Sequence, residues 1–236
     1  MKAIVCKSYG PPENLVLEDI DDPVASENEA IVKVYSASLN FPDGLQIQGK
    51  YQFQPPMPFT PGSEVGGIIT SVGAGLQGFS VGDRVMATPG IGGLAEQVAV
   101  KADGLRKIPD SMDFKTAAGF AMIYTTSYYA LKQRAQLKPD ETLLVLGASG
   151  GVGLAAVELG KVMGARVIAA ASSDEKLEFV NRLHPDALLN YSDGEFKERV
   201  KDLTKGRGAD VIYDPVGGDL FGRRCGWTIM NGSVLV

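Results

Sequence analysis

A run of glycines between residues 147 and 153 is the segment whose residue types and spacing point most directly to chemistry. It reads Gly147-Ala148-Ser149-Gly150-Gly151-Val152-Gly153, after the apolar stretch 142–146 and before a helical pattern. Glycines let the backbone approach a pyrophosphate, and the first N–H groups of a helix attract phosphate. The spacing is GxxGxxG rather than the usual GxGxxG, so the strand–turn–helix context carries the prediction of a dinucleotide site. The alternative is a glycine-rich turn that binds nothing.

The end of the next apolar stretch indicates which dinucleotide would bind. NAD-specific proteins place an acidic residue there, about 20 residues after the glycines, to accept a hydrogen bond from the ribose 2′-hydroxyl. Here the stretch 166–171 ends in Ser172-Ser173, and Lys176 follows one turn into a predicted helix. An ammonium at this place would attract a 2′-phosphate. We interpret Asp174 and Glu175 as first-turn helix charges, and the sequence therefore predicts NADP(H).

Composition excludes several classes of partner. The 236 residues are 44% hydrophobic and 22% charged, which is typical of a folded globular protein. The net charge is -5 and the basic residues are scattered, so we expect neither a nucleic-acid partner nor a membrane partner. The two cysteines, Cys6 and Cys225, form no CxxC pair, and no signal peptide or long apolar stretch occurs. We expect a cytoplasmic protein.

Two patterns of apolar residues must position these groups. Up to about residue 99 the apolar runs are short and β-rich, at 30–35, 65–72, 84–87 and 95–100, and this pattern predicts a mostly β, barrel-like domain. Further on, apolar strands alternate with helices, which predicts a doubly wound parallel sheet. The predicted strands are 142–146, 166–171, 187–190, 210–213 and one opening at 233, and the predicted helices are 151–163, 174–183 and 194–204. We place the domains at 1–120 and 121–236.

The sequence stops at Val236, inside the fifth predicted strand of the second domain. A six-stranded dinucleotide fold has one more strand, so we expect the Rossmann domain to be incomplete at its carboxyl end. A naturally shorter sheet is the alternative.

Several segments together resemble one family over essentially the whole chain: the zinc-independent, zeta-crystallin-like quinone oxidoreductases of the medium-chain dehydrogenase/reductase superfamily. They are Ser38-Leu39-Asn40-Phe41-Pro42-Asp43, Pro61-Gly62-Ser63-Glu64-Val65-Gly66-Gly67, Val81-Gly82-Asp83-Arg84-Val85, Tyr124-Thr125-Thr126-Ser127-Tyr128-Tyr129-Ala130-Leu131, Gly150-Gly151-Val152-Gly153 and Asp214-Pro215-Val216-Gly217-Gly218. The resemblance implies an α/β protein with a GroES-like catalytic domain followed by a Rossmann domain. Related zinc enzymes have Cys and His where this chain has Asn40 and Ser63, and Glu64 alone cannot hold a catalytic zinc. We therefore predict no metal.

The resemblance also implies roles for individual residues. Asn40 and Asp43 would line the cleft near the nicotinamide, Tyr51 would offer its hydroxyl there, and Thr126 would contact the nicotinamide end. On local sequence alone, Asn40 could instead initiate a turn, Tyr51 could be an exposed ring and Thr126 a packed side chain. Asp214 ends the fourth strand of the second domain, at the edge where doubly wound sheets bind ligands, or else caps a loop.

The predicted sites and activity follow from these observations. The resemblance implies that Tyr191 lies with Lys176 beside the 2′-phosphate. The predicted cofactor-binding residues are Thr126, Gly147, Ser149, Gly150, Gly151, Val152, Gly153, Ser172, Lys176, Tyr191 and Asp214, and the predicted catalytic residues are Tyr51, Asn40 and Asp43.

The implied reaction is hydride transfer from NADPH to a quinone or another conjugated carbonyl. Tyr51 is the first candidate, and Asn40 the second, to stabilise the developing oxyanion. Reduction of an enoyl thioester or enone, and NADPH binding without catalysis, are the alternatives. A homodimer is expected if the missing carboxyl-terminal part is present.

Overall fold

The computed structural model describes residues 1–192, 195–218 and 228–235. The chain divides into two compact units, Met1–Met122 and Ile123–Val236. The first holds mainly antiparallel strands and the second a parallel sheet with helices. Cys225, one of the two cysteines, lies outside the described residues.

The first unit contains a two-stranded hairpin and a five-stranded antiparallel sheet. The hairpin is β1 (Lys2–Val5) with β2 (Val16–Asp19). The sheet has the order β6-β3-β4-β5-β7, with β3 (Glu29–Ala37), β4 (Val65–Val72), β5 (Arg84–Ala87), β6 (Gln97–Lys101) and β7 (Leu105–Lys107). Two helices, α1 (Phe41–Gln46) and α2 (Phe114–Ala118), and 3₁₀ turns at Pro12–Asn14 and Ala102–Gly104 complete the unit.

The register of β3 against β4 positions the polar cluster described below. The two strands pair from Ala30 opposite Val72 to Ala37 opposite Val65, with two register shifts along the way. The segment after β3 therefore starts beside the segment before β4, and the Ser38 N–H donates to the Glu64 carbonyl at 3.1 Å. Alternate residues of the sheet, such as Val32, are buried and form the core of this unit.

The second unit is a parallel sheet with the order β10-β9-β8-β11-β12. Its strands are β8 (Thr142–Val145), β9 (Arg166–Ala171), β10 (Ala187–Asn190), β11 (Ala209–Tyr213) and β12 (Thr228–Leu235). Counted from β8, the order is third, second, first, fourth, fifth, which is that of the Rossmann fold. The predicted fold class is therefore confirmed. The strand predicted to open at 233 begins five residues earlier, at Thr228, because Asn231 and Gly232 interrupt its apolar residues.

Helices cover this sheet and bury both of its faces. They are α3 (Ala121–Tyr128), which continues as the π-helical segment Tyr129–Arg134, then α4 (Gly151–Val162), α5 (Asp174–Asn181) and α6 (Phe196–Leu203). Leu143 and Val145 belong to one apolar cluster, whereas Leu144 and Leu146 belong to another. Successive strand residues point to opposite faces, so burial of both faces explains why these strands are continuous apolar runs.

Candidate functional site

The glycine turn between β8 and α4 contains two positions, 147 and 153, at which the fold leaves no room for a side chain. Gly147 has φ of +59°, in the left-handed region, and a Cβ there would lie 2.7 Å from the Val216 side chain. A Cβ on Gly153 would lie 2.2 Å from the Gly147 carbonyl oxygen. The turn is also tied to β9, because the Ala148 N–H donates to the Ala170 carbonyl at 3.0 Å.

The two middle glycines of the turn are not required in this way. Gly150 has an extended backbone, φ −80° and ψ 165°, and the nearest atom to an added Cβ would be 3.4 Å away. A Cβ on Gly151 would meet only the end of the Ile123 side chain, at 3.2 Å. The first N–H groups of α4 have no acceptor within the helix. The turn therefore leaves open space beside backbone donors, which fits the pyrophosphate of a dinucleotide.

Three of the predicted cofactor residues, Ser172, Lys176 and Tyr191, follow the carboxyl ends of β9 and β10. Lys176 Nζ donates to Ser172 Oγ at 2.8 Å, and Tyr191, directly after β10, packs its ring edge-on against Phe196 at 6.2 Å. Ser173 caps α5, since its Oγ accepts from the Lys176 N–H at 3.4 Å. The Lys176 ammonium and the Ser172 hydroxyl are thus available together to an anionic group here.

The acidic residues at the start of α5 are arranged differently. Asp174 Oδ1 accepts a hydrogen bond from Asn190 Nδ2 at 3.0 Å, so this carboxylate joins α5 to the end of β10. Both Asp174 and Glu175 lie in the first turn of α5. This geometry supports their interpretation as helix charges rather than ribose ligands.

A cavity of about 530 Å³ lies at the carboxyl end of β11 in the second unit. It brings together three predicted cofactor residues, Thr126, Val152 and Asp214. The rest of its lining is Tyr129, Ala130, Arg134, Tyr213, Pro215 and Val234. Sequence analysis missed Tyr213, which lies in a buried strand, and Arg134, which ends the π-helical segment.

Asp214 also has a structural role. Its Oδ1 accepts hydrogen bonds from the N–H groups of Val216 and Gly217, at 2.8 and 2.9 Å. This is the loop cap that the sequence allowed as an alternative. The residue can stabilise the loop and line the cavity at the same time.

Two hydroxyl contacts join α3 to α4 beside this cavity. Tyr124 donates to the Glu158 carboxylate. Burial, together with the hydrogen bond and charge of Glu158, raises the pKa of Tyr124 to about 12. Ser127, fully buried, donates to the Val152 carbonyl at 2.8 Å. Ser127 therefore contacts the opening turn of α4, and Tyr124 contacts the middle of the same helix.

In the first unit, the buried carboxylate of Glu64 is the centre of a polar cluster. Its Oε2 accepts from Ser38 Oγ at 2.9 Å and from Asn40 Nδ2 at 3.3 Å. Its Oε1 accepts from the Met122 N–H at 2.9 Å. Asn40 Nδ2 also donates to Ser38 Oγ at 2.9 Å. All three of these partners donate to Glu64, as an ionised carboxylate requires.

The remaining predicted catalytic residues lie elsewhere in this unit. Asp43 is buried, and its Oδ2 accepts from the Asn40 N–H at 2.7 Å, so it stabilises the start of α1. Among the described residues its Oδ1 has no hydrogen-bond partner. Tyr51 lies half-buried in the irregular segment 50–57 and is not part of the Glu64 cluster. The structure thus joins Asn40 with Asp43, but not with Tyr51.

The donors around Glu64 do not suit a zinc ion. The Asn40 amide nitrogen donates to Glu64, and the Ser63 hydroxyl is buried without a hydrogen-bond partner in the described ranges. Zinc prefers thiolate, imidazole and carboxylate ligands, and of Asn40, Ser63 and Glu64 only Glu64 supplies such a group. Across the described residues no group of three His, Cys, Asp or Glu side chains could hold a metal. In the same part of the chain, no helix has the length and apolar character needed to cross a membrane.

Comparison with known proteins places the chain in a family. Residues 26–110 match the sequence model described as "Alcohol dehydrogenase GroES-like domain", and residues 151–235 match the one described as "Zinc-binding dehydrogenase". A quinone oxidoreductase from Pseudomonas syringae pv. Tomato DC3000 superposes with a TM-score of 0.92 at 32% identity, over 99% of this chain and 72% of that one. The chain belongs to the quinone-oxidoreductase-like medium-chain dehydrogenases/reductases. The predicted resemblance is confirmed.

Other members of this family are similarly close. The "Quinone oxidoreductase-like protein 2 homolog" of Nematostella vectensis is 40% identical over 99% of this chain. The quinone oxidoreductase of Thermus thermophilus, whose structure was also solved in complex with NADPH, is 35% identical over 99% of this chain and 72% of its own length, with a TM-score of 0.87. The chain spans only 64% of the Nematostella relative.

Proposed function

We propose that this quinone-oxidoreductase-like chain takes part in NADPH-dependent reduction of a quinone or another conjugated carbonyl. The observation that carries the proposal is the contact of Lys176 with Ser172 at the carboxyl edge of the sheet, while Asp174 is held by Asn190. A cation without a competing carboxylate suits a 2′-phosphate. The Thermus quinone oxidoreductase, a relative that binds NADPH, supports the same choice.

Each part of the dinucleotide would have its own residues in the second unit. The backbone around Gly150, Gly151 and Val152 would hold the pyrophosphate, with Gly147, Ser149 and Gly153 shaping the turn. Lys176, Ser172 and Tyr191 would hold the 2′-phosphate. Thr126 and Asp214, which line the 530 Å³ cavity, would hold the nicotinamide end. Apart from Thr126, which lies on α3, these groups follow the carboxyl ends of parallel strands, where doubly wound folds bind ligands.

The chain's own contribution to the reaction is binding, orientation and stabilisation of charge. A reduced nicotinamide supplies a hydride when bound. Tyr51 would donate its hydroxyl proton in a hydrogen bond to the acceptor oxygen as negative charge develops there. Asn40 is the weaker candidate, because both hydrogens of its amide already face Ser38 and Glu64. Asp43 would act by holding the Asn40 backbone.

The proposal extends to assembly and location. We propose a homodimer for a chain that contains the expected carboxyl-terminal part of the Rossmann domain, as the resemblance to the family implies. We propose that the protein works in the cytoplasm, with a small-molecule acceptor as its partner.

The test combines dinucleotide binding with turnover. The unaltered chain should bind NADPH at least about tenfold more tightly than NADH, and Lys176→Ala should weaken NADPH about tenfold while leaving NADH unchanged, because only the 2′-phosphate contact is lost. Fluorescence titration measures both affinities. Lys138→Ala, which removes an exposed lysine just before β8, is the matched control and should change neither.

Consumption of NADPH with a panel of quinones, enones and enoyl thioesters then identifies the reaction. Equal affinity of the unaltered chain for the two dinucleotides would refute the NADPH preference. Faster turnover of an enoyl thioester or enone would favour that reductase activity. Tight NADPH binding without turnover of any acceptor would favour a non-catalytic binding protein.

A further inference from the structure

Two buried hydroxyl groups connect three elements around the cavity in the second unit. Ser127, on α3, is fully buried, and Tyr213, the last residue of β11, is 6% exposed. The Ser127 Oγ lies 2.8 Å from the Val152 carbonyl oxygen and 3.2 Å from the Tyr213 hydroxyl. Val152 is the second residue of α4. The contacts therefore run from β11 through α3 to the opening of the helix that follows the glycine turn.

The direction of these hydrogen bonds is fixed by counting protons. A carbonyl oxygen can only accept, so the single proton of Ser127 goes to Val152. The Tyr213 hydroxyl must then donate to Ser127. Burial raises the pKa of Tyr213, while the hydrogen bond to Ser127 lowers it, and the net shift is upward. Tyr213 therefore keeps the proton that it donates at neutral pH.

The extra donor acts on a carbonyl that is already part of α4. In an α-helix the Val152 carbonyl accepts the N–H of the residue four positions on, Ala156. A second donor from outside the helix fixes where this first turn lies. An alanine at position 127 would fill nearly the same space, so packing alone does not explain a serine there. A buried hydroxyl with both bonds made is a specific positional restraint.

We propose that Ser127 is a positioning residue that holds the opening turn of α4 in place, and that Tyr213 orients it. Resting on the proposed function, this restraint also sets the affinity for the dinucleotide, because the N–H groups of that turn are the ones that would face the pyrophosphate. Affinity should be sensitive to small displacements of these donors, since hydrogen bonds weaken with distance and angle.

The experiment compares three variants of the full chain. Ser127→Ala removes the donor to Val152, and Tyr213→Phe removes only the group that orients Ser127. Thr204→Val is the matched control. Thr204 is also a buried hydroxyl in this unit, donating to the Val200 carbonyl at 2.7 Å and accepting from the Gly208 N–H at 2.9 Å, but it lies at the amino end of β11. NADPH titration, thermal unfolding and amide hydrogen exchange without dinucleotide are measured for each.

We expect Ser127→Ala to raise the dissociation constant for NADPH about three- to tenfold, which corresponds to the loss of one buried hydrogen bond. Exchange of the amides 154–156, the first in α4 with acceptors in the opening turn, should become faster in this variant while amides elsewhere in the unit change little. Tyr213→Phe should show the same pattern with a smaller change, because Ser127 still donates to Val152. Thr204→Val should lower the unfolding temperature and leave the NADPH affinity unchanged.

Each other result has a defined meaning. Unchanged exchange at 154–156 in Ser127→Ala would overturn the proposal, since the opening turn of α4 would then not depend on Ser127. Equal losses of affinity in Ser127→Ala and Thr204→Val would also overturn it, since they would indicate general destabilisation. A larger loss of affinity in Tyr213→Phe than in Ser127→Ala would also overturn it, because Tyr213 would then contact the ligand itself. Faster exchange confined to Ser127→Ala, in a chain that does not bind NADPH, would support the positioning role and refute the proposed function.

Discussion

The cluster around Glu64 in the first unit consists of side chains that hydrogen-bond to one another, whereas the glycine turn in the second unit consists of backbone groups left open by missing side chains. Glu64 accepts hydrogen bonds from Ser38, Asn40 and the Met122 N–H. Each of these bonds requires an acceptor oxygen on Glu64. Gly150 and Gly151 matter because a Cβ there would occupy space beside the start of α4.

This difference predicts different sensitivities to substitution. In the turn, the consequence of a substitution depends on whether the added atoms meet protein or empty space. In the cluster, the consequence depends on the pattern of donors and acceptors, since a buried polar group without a partner costs about 1 to 3 kcal/mol. Substitutions at Gly150 and Gly153 in the turn, and at Glu64 in the cluster, test these two expectations.

The largest effect is expected at Gly153. Gly153→Ala would place a methyl group 2.2 Å from the Gly147 carbonyl oxygen, so the turn must shift and the free energy of unfolding should fall by roughly 3 to 5 kcal/mol.

Gly150→Ala should fold normally and lower NADPH affinity at least about tenfold, because its methyl group enters the space proposed for the pyrophosphate. Urea unfolding followed by circular dichroism measures the stability of both variants, and NADPH titration measures their affinity. A Gly150→Ala protein with unaltered affinity would place the pyrophosphate elsewhere.

A smaller effect is expected at Glu64. Glu64→Gln replaces one acceptor oxygen with an N–H₂ group that faces donors, so the unfolding free energy should fall by about 2 to 3 kcal/mol. Glu96→Gln is the matched control in the same unit: Glu96 is exposed and its carboxylate accepts a hydrogen bond from the Lys2 N–H, so the change in unfolding free energy should stay below about 0.5 kcal/mol. Urea unfolding measures both. Equal stability of the two variants would mean that the cluster does not depend on an ionised carboxylate.

The same contrast explains how much the sequence could predict. The glycine turn is a local pattern, and the strands 65–72, 84–87, 166–171 and 187–190 were predicted with the bounds that the structure shows, because their apolar runs end at sharp polar or glycine boundaries. The partners of Glu64 could not be predicted. Asn40 is 24 residues away and Ser38 is 26 residues away, and only the register of β3 against β4 brings them together.

Long-range pairs were missed in the second unit for the same reason. Ser127 and Tyr213 are 86 residues apart, and each fits its own element as an ordinary core residue. The catalytic role of Asp43 stays a prediction; the capping bond that it makes to Asn40 can be read from their spacing in the sequence. Local spacing thus predicts caps and turns, whereas the partners of buried polar groups depend on the strand order.

The smallest effect in free energy is expected at Tyr51. A substitution at this residue of the first unit should change turnover, whereas the residues of the second unit determine dinucleotide binding. Tyr51→Phe should lower turnover about tenfold, or about 1.4 kcal/mol in the barrier, because it removes the hydroxyl proposed to stabilise the developing oxyanion. NADPH affinity should stay within about twofold, since the dinucleotide residues belong to the second unit. Tyr35→Phe, which removes an exposed hydroxyl from a ring stacked on Phe114, is the control for the same chemical change. Unaltered turnover in Tyr51→Phe would move the donor role to Asn40, whose amide would then have to leave Ser38 or Glu64 during the reaction.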